Sequence, residues 1–121
     1  MKDSKIERAR KLASELPFHK GEQRVWAVIT NKRGKILSEA GNNYRKSSPV
    51  MKKFGQQAGY PEKEFWHAEC RAIHNLPYGS VPYKISVARV NRDGDLLPSY
   101  PCPVCREALR KINIEVVECN I

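Results

Sequence analysis

Hydrophobic residues near the start of the chain recur at helical spacing. Four of them share one face of a helix that Pro17 ends: Ile6, Ala9, Ala13 and Leu16. Ser4 and Glu7 have the spacing of a capping box, in which each side chain bonds to a backbone N–H of the first turn. The pattern therefore predicts a first helix that begins near Ser4 and stops at Pro17.

Two short hydrophobic runs follow, with turn residues between them. Residues 24–30 are rich in Val, Ile and Trp, and the polar turn at 31–34 precedes a second run at 35–40. We predict a β-hairpin here. Residues 41–61 contain glycines, prolines and several basic residues but no acidic residue, which predicts a long loop of the kind that is usually functional.

The second half of the chain predicts two helices and two strands. One helix is predicted over residues 62–76, where five hydrophobic residues share a face: Phe65, Ala68, Ala72, Ile73 and Leu76. Residues 83–90 predict a strand, residues 103–112 a helix and residues 114–119 a last strand. The order αββαβαβ predicts an α/β fold, a three-layer α/β/α sandwich with a mixed central sheet of four or five strands.

Length and cysteine content add to this picture. The 121 residues fit one domain spanning 1–121, and no stretch reaches the roughly 18 apolar residues of a membrane span. The charged first residues lack the apolar core of a signal peptide, so we expect a cytoplasmic protein. A reducing cytoplasm disfavours disulfides, and the Cys-x-x-Cys spacing at 102–105 suits a metal ion instead.

The chain is strongly basic, with 22 Lys and Arg against 13 Asp and Glu and a net charge of +9. Such a charge favours nucleic acid or a phosphorylated nucleotide as partner. Arg45 and Lys46, in the basic segment 41–61, are the candidates for binding phosphate. The alternative is that the basic surface only keeps the protein soluble.

Two short motifs have the composition of a metal site. Cys102 and Cys105 are three residues apart at a predicted helix start, where they share a face and the helix dipole favours their thiolates. His67 and Glu69 lie about 200° apart around a helix, so both can approach one ion only if it lies beyond the helix end. His67 then supplies a third ligand, and Glu69 reaches the open fourth position.

Three protein ligands and an open position are typical of catalytic zinc, whereas structural zinc sites have four protein ligands. Zinc lowers the pKa of a bound water towards ~7, and a neighbouring carboxylate can take up and deliver its proton. The residues alone therefore predict a catalytic Zn²⁺ with Glu69 as proton shuttle.

H-x-E at 67–69 and P-C-x-x-C at 101–105 together resemble the signature of zinc-dependent nucleobase deaminases, the cytidine deaminase-like superfamily. The order of predicted elements is similar as well, over most of the chain. The resemblance implies that His67, Cys102 and Cys105 bind Zn²⁺ and that Glu69 is catalytic.

The resemblance also implies substrate contacts. Asn43, in the segment Gly41-Asn42-Asn43, corresponds to a residue that contacts the sugar, and the backbone N–H of Ala68 corresponds to one that holds the base. A purely structural role in a turn is the alternative for the two asparagines. Tyr100, beside the cysteine motif, has a ring on which a base can stack, the alternative being ordinary packing. Cys70, which should turn away from the metal, and Cys119 are interpreted as ordinary buried thiols.

The leading hypothesis is hydrolytic deamination of cytosine to uracil within DNA or RNA, with single strands favoured because a duplexed base must first be unstacked. The first alternative is a deaminase of a free nucleotide such as deoxycytidylate, and adenine is a weaker one. The alternative from another class is a non-enzymatic zinc module that binds nucleic acid, with Cys70, His74 or Cys119 as fourth ligand.

Overall fold

The structure is a computed structural model that describes residues 4–20, 22–60 and 65–120, with the backbone alone at residues 44–47 and 65. Within these ranges the helices are α1 (Ile6–Glu15), α2 (Pro49–Gln57), α3 (Ala68–His74) and α4 (Pro103–Lys111). The strands are β1 (Arg24–Thr30), β2 (Ile36–Gly41), β3 (Asn43–Ser47), β4 (Phe65–Trp66), β5 (Lys84–Val90), β6 (Leu96–Leu97) and β7 (Val116–Cys119). None of these helices has the length and apolar composition that crossing a bilayer requires.

Five strands form a mixed sheet. The antiparallel order is β2-β1-β5-β6, and β7 pairs in parallel with the first half of β5. β1 and β5 are therefore central strands, and their residues are buried on both faces of the sheet. The mixed α/β sheet predicted from the sequence is confirmed.

Helices cover both faces, as the alternation of side chains along β1 shows. One face packs into a cluster that includes residues of α3 and α4: Val25, Ala27, Ile29, Ala68, Ala72, Ile85, Val87 and Leu109. On the other face Val28 packs with Ala9 of α1 and Ala88 of β5. Successive residues of a strand point to opposite faces, so β1 joins both layers of the core.

The predicted loop over residues 41–61 is wrong, because this segment contains β3 and α2. The Ser48 side chain accepts a hydrogen bond from the Met51 N–H, and Pro49 occupies the start of α2, where a missing N–H costs nothing. The prediction treated Pro49 and Gly55 as helix breakers. In the structure Pro49 starts the helix, and Gly55 is buried inside it.

The predicted helix over residues 62–76 is correct only in its second half. α3 begins at Ala68, and Phe65–Trp66 instead forms β4, whose backbone pairs with β3. Pairing between strands distant in sequence overrides local helical spacing here. Residues 61–64 lie outside the described residues.

The predicted capping box is also wrong: α1 begins at Ile6, whose N–H bonds to the Ser4 hydroxyl.

Candidate metal centre

Two helix starts bring the three candidate ligands together. His67 is the residue before α3 and Cys102 the residue before α4, and both have extended backbones. Cys105 lies in the first turn of α4. The nitrogen of His67 and the sulfurs of Cys102 and Cys105 all lie within 4.8 Å of one another.

The distances between these atoms fit a tetrahedral zinc ion. His67 Nδ1 lies 3.4 Å from Cys102 Sγ and 3.5 Å from Cys105 Sγ. Zinc bonds of about 2.0 Å to nitrogen and about 2.3 Å to sulfur, at tetrahedral angles, place the two ligand atoms about 3.5 Å apart. One imidazole and two thiols are also a donor set that zinc prefers over magnesium or calcium. The cluster can therefore hold a zinc ion.

The candidates for a fourth protein ligand lie outside this cluster. Among the described residues, the group of His, Cys, Asp and Glu side chains close enough to share an ion consists of His67, Cys102 and Cys105. The ring of His74 packs against the ring of Trp66, with the centroids 5.5 Å apart and the planes tilted by 34°. Three ligands with a position left for water are the arrangement of catalytic rather than structural zinc.

The two thiols have opposite pKa shifts. The pKa of Cys102 falls to about 3, because the side chain of Cys105 and then that of His67 hydrogen-bond to its sulfur. These hydrogen bonds outweigh the effect of burial, which raises the pKa. Hydrogen bonds to Cys102 and Cys70, together with burial, raise the pKa of Cys105 well above its ordinary value. One thiol thus ionises readily while the other keeps its proton, and a metal bound by both sulfurs releases that proton.

Glu69 lies in the first turn of α3, two residues after His67. It is only 7 % exposed, and burial raises the pKa of its carboxyl group. A hydrogen bond to its own backbone and the charge of His67 lower the pKa, but by less than burial raises it. A carboxyl group that lies outside the ligand cluster and holds its proton more tightly than usual is suited to proton transfer.

Hydrogen bonds to the sheet fix the position of α3. The Ser38 hydroxyl of β2 donates to the Ala72 carbonyl at 2.7 Å, and the Arg71 side chain donates to the Gly41 carbonyl at 3.2 Å. Ala68 is buried at the first position of α3, where a backbone N–H has no acceptor within the helix. Ala68 is the residue between His67 and Glu69, so its N–H belongs to the same helix start as these two residues.

The two neighbouring asparagines have different surroundings. The Asn42 side chain accepts a hydrogen bond from the Val25 N–H and donates one to the Gln23 carbonyl. Both asparagines line a cavity of about 230 Å³ whose wall includes Arg71. Asn42 thus has a structural role, which was the alternative to a substrate contact for both asparagines. Asn43 begins β3, opposite Trp66.

The other candidate substrate contacts lie on two segments. Tyr100, two residues before Cys102, is 60 % exposed, and the guanidinium carbon of Arg106 lies 5.3 Å from its ring centroid. Arg45 and Lys46 lie in β3, and their side chains are outside the described part of the chain.

Two supporting residues were missed by the sequence analysis. Met51 of α2 is fully buried in a cluster with Cys70, Val104 and Cys105, so α2 packs directly behind the ligands. Ser99 holds the segment that leads into Cys102, since its hydroxyl donates to the Val87 carbonyl of β5. The signal for α2 was Ser48-Pro49 followed by Met51, Phe54 and Ala58 at helical spacing.

Comparison with known protein families gives a match over most of the chain. The family model described as "Cytidine and deoxycytidylate deaminase zinc-binding region" matches residues 2–120. No curated protein matches the chain. The match spans both motifs and every described helix and strand.

Proposed function

The chain belongs to the zinc-binding family of cytidine and deoxycytidylate deaminases, and from this premise we propose that it converts cytosine to uracil in phosphate-bearing substrates. Single-stranded DNA or RNA is the first candidate substrate. The observation that carries the proposal is the His67, Cys102 and Cys105 cluster, whose spacing fits zinc, with the buried Glu69 beside it.

His67, Cys102 and Cys105 are the proposed ligands. Zinc held by them would supply a Lewis acid that lowers the pKa of a water towards ~7. Glu69 would take one proton from the attacking water and deliver it to N3 of cytosine, while the water oxygen bonds to C4. Glu69 would then pass the second proton of this water to the amino group on C4, the C4–N bond would break, and ammonia would leave. Water is consumed, and uracil and ammonia are the products.

Three groups are proposed to position the base and sugar. The Ala68 N–H, at the start of α3, donates to the base next to Glu69. Asn43, at the wall of the cavity that Arg71 also lines, contacts the sugar. The exposed ring of Tyr100 offers a stacking surface beside Cys102.

The basic character of the segment around α2 supports a phosphate-bearing substrate. Met51 of α2 packs in the same cluster as Cys105, while Lys52 and Lys53 on the same helix are exposed. Arg45 and Lys46 of the preceding β3 are proposed to bind phosphate too. With a net charge of +9, the chain attracts polyanions over a distance of about one Debye length.

Free deoxycytidylate is the second candidate substrate. The description of the matching family names it, and its single phosphate suits the same basic residues.

We also expect the protein to work in the reducing cytoplasm. The four cysteines, which all lie in described segments, are free thiols.

A substrate panel tests the proposal. Purified zinc-loaded protein is incubated with cytidine, deoxycytidylate, and single-stranded and duplex oligonucleotides that contain cytosine, and released ammonia is measured. We expect uracil in single strands and a steep loss of rate with added salt, because each neutralised phosphate releases counterions. Activity on deoxycytidylate alone, with a shallow salt dependence, would select the second candidate. Tightly bound zinc without turnover of any substrate would contradict the enzyme proposal.

A further inference from the structure

Cys70 is a buried thiol that the proposed reaction does not use. It follows Glu69 directly and is fully buried. Its neighbours in the buried cluster behind the ligands are Met51, Val104, Cys105 and Ala108. These four side chains are apolar or thiol groups from α2 and α4, so Cys70 lies where three helices meet.

The sulfur of Cys70 lies 3.6 Å from the sulfur of Cys105, within hydrogen-bond distance for a thiol. It is nevertheless not a member of the ligand cluster formed by His67, Cys102 and Cys105. Cys70 therefore contacts one proposed ligand but does not belong to the group that could bind the ion. The expectation that Cys70 is buried is met, but its sulfur faces a ligand instead of turning away.

A ligated cysteine is a thiolate and has no proton to give. In a contact between Cys70 and a ligated Cys105, the proton must then come from Cys70, whose S–H is a weak donor. Most of the side chains packed around Cys70 are apolar, and a buried hydrogen bond to a charged acceptor is stronger than one in water. Groups that hydrogen-bond to a metal ligand orient it and commonly change metal affinity by about 10- to 100-fold.

We infer that Cys70 is a positioning residue, whose thiol donates a hydrogen bond to Cys105 and thereby holds this sulfur in place for zinc. The inference rests on the proposed zinc site. It assigns to α3 two functions within one turn: Glu69 transfers protons, and Cys70 supports a ligand that belongs to α4.

Replacing Cys70 separates the hydrogen bond from the volume of the side chain. Alanine and serine have nearly the same size, but only serine donates, so Cys70→Ala and Cys70→Ser form a matched pair. Cys119→Ala removes a thiol outside the ligand cluster and is the control. Zinc affinity is measured on the full chain by competition with a chromogenic chelator, and the thiolate-to-cobalt absorption band is recorded after loading with Co²⁺.

We expect Cys70→Ala to bind zinc at least about 10-fold more weakly and to shift the cobalt band. Cys70→Ser should recover most of the affinity, and Cys119→Ala should match the wild type. Equal affinity in Cys70→Ala and the wild type, or equal weakness in the alanine and serine variants, would overturn the inference. If Cys70→Ala does not fold, Cys70→Val, which fills the space without a donor, carries the same expectation.

The outcome also distinguishes this inference from the proposed function. A wild-type protein that binds no zinc, or a Cys105→Ala variant that binds it as tightly as the wild type, would remove the proposed site and the inference together. Normal zinc binding and turnover in Cys70→Ala would remove the inference alone.

Discussion

Asn43 and Trp66 are paired across the antiparallel strands β3 and β4, so Asn43 lies opposite the residue that directly precedes His67. A proposed sugar contact and a proposed zinc ligand are thus fixed by one short backbone pairing. α2 lies between the two strands in the chain and packs its Met51 against the ligand side chains. β3, α2 and β4 therefore lie together beside the candidate metal centre.

Replacing Glu69 tests its proposed role in proton transfer. We expect Glu69→Gln to lower kcat by about 10²- to 10⁴-fold, the usual contribution of a positioned acid or base. Zinc content should be unchanged, because Glu69 is outside the ligand cluster. Turnover and bound zinc are measured on the same preparation, with Glu107→Gln, at a partly exposed position of α4, as control. Loss of zinc from Glu69→Gln would make Glu69 a ligand instead.

Removing the metal should destabilise the fold. Because an ion bound only by the native state stabilises that state, the Tm of the wild type should rise with added zinc and fall with a chelator. His67→Ala and Cys102→Ser should lose this response, and Cys119→Ala should keep it. Calorimetry at several zinc concentrations measures the effect. A zinc-dependent Tm in His67→Ala would argue against His67 as a ligand.

Acid should weaken the contact between α1 and β2. The Arg8 guanidinium hydrogen-bonds to the carboxylate of Glu39 at 2.6 Å and lowers its pKa. A carboxyl group whose pKa is lower in the folded state stabilises the fold above its unfolded pKa of about 4 and loses this effect as pH falls through the folded value.

The same pair defines a measurement. Urea unfolding between pH 7 and pH 3 should show a smaller loss of stability in Glu39→Gln than in the wild type. The difference should be at most about 1 kcal/mol, since the pair is partly exposed. Glu15→Gln, at the exposed end of α1, is the control. Identical pH profiles for Glu39→Gln and the wild type would contradict the prediction.

The two neighbouring asparagines should respond differently to alanine. Asn42→Ala removes two hydrogen bonds to the backbone around β1, so we expect the free energy of unfolding to fall by about 1–3 kcal/mol. Asn43→Ala should instead raise KM for the substrate. Denaturant unfolding and steady-state kinetics on both variants make the comparison. A larger rise in KM for Asn42→Ala than for Asn43→Ala would reverse the assignment.

Gly41 has no room for a side chain. A Cβ atom at this position would lie 2.8 Å from the Trp26 ring and 3.0 Å from Leu16. We expect Gly41→Ala to destabilise the protein by about 1–3 kcal/mol, the usual cost of overpacking. Trp26→Leu in the same chain should relieve part of this cost, measured by urea unfolding of both single variants and the double variant. Strict additivity of the two substitutions would contradict the clash.

The central strands and the ligand motifs could be predicted from the sequence because their signals are local. Residues 25–29 are a continuous hydrophobic run, as expected of a strand buried on both faces, and residues 24–30 form β1 with the predicted bounds. Cys102 and Cys105 likewise have the spacing of one helical turn. Such features require no knowledge of the rest of the chain.

The region from β3 to β4 could not be predicted in the same way. Phe65 and Trp66 fit the helical spacing of the residues after them, and only pairing with β3 makes them a strand. The contact between Cys70 and Cys105 joins residues 35 positions apart and depends on how α3 and α4 pack. Local spacing contains no information about either relationship.

The separation of the ligands along the chain also has a consequence for folding. His67 and Cys102 are 35 residues apart, and the central strand β5 lies between them. A zinc ion bound by both residues would join the two ends of a chain segment that contains β5. Like a cross-link, the ion would then stabilise the fold that brings these ends together. A nascent chain released before Cys102 is synthesised would have β1, β2 and β5 but no means of retaining the ion.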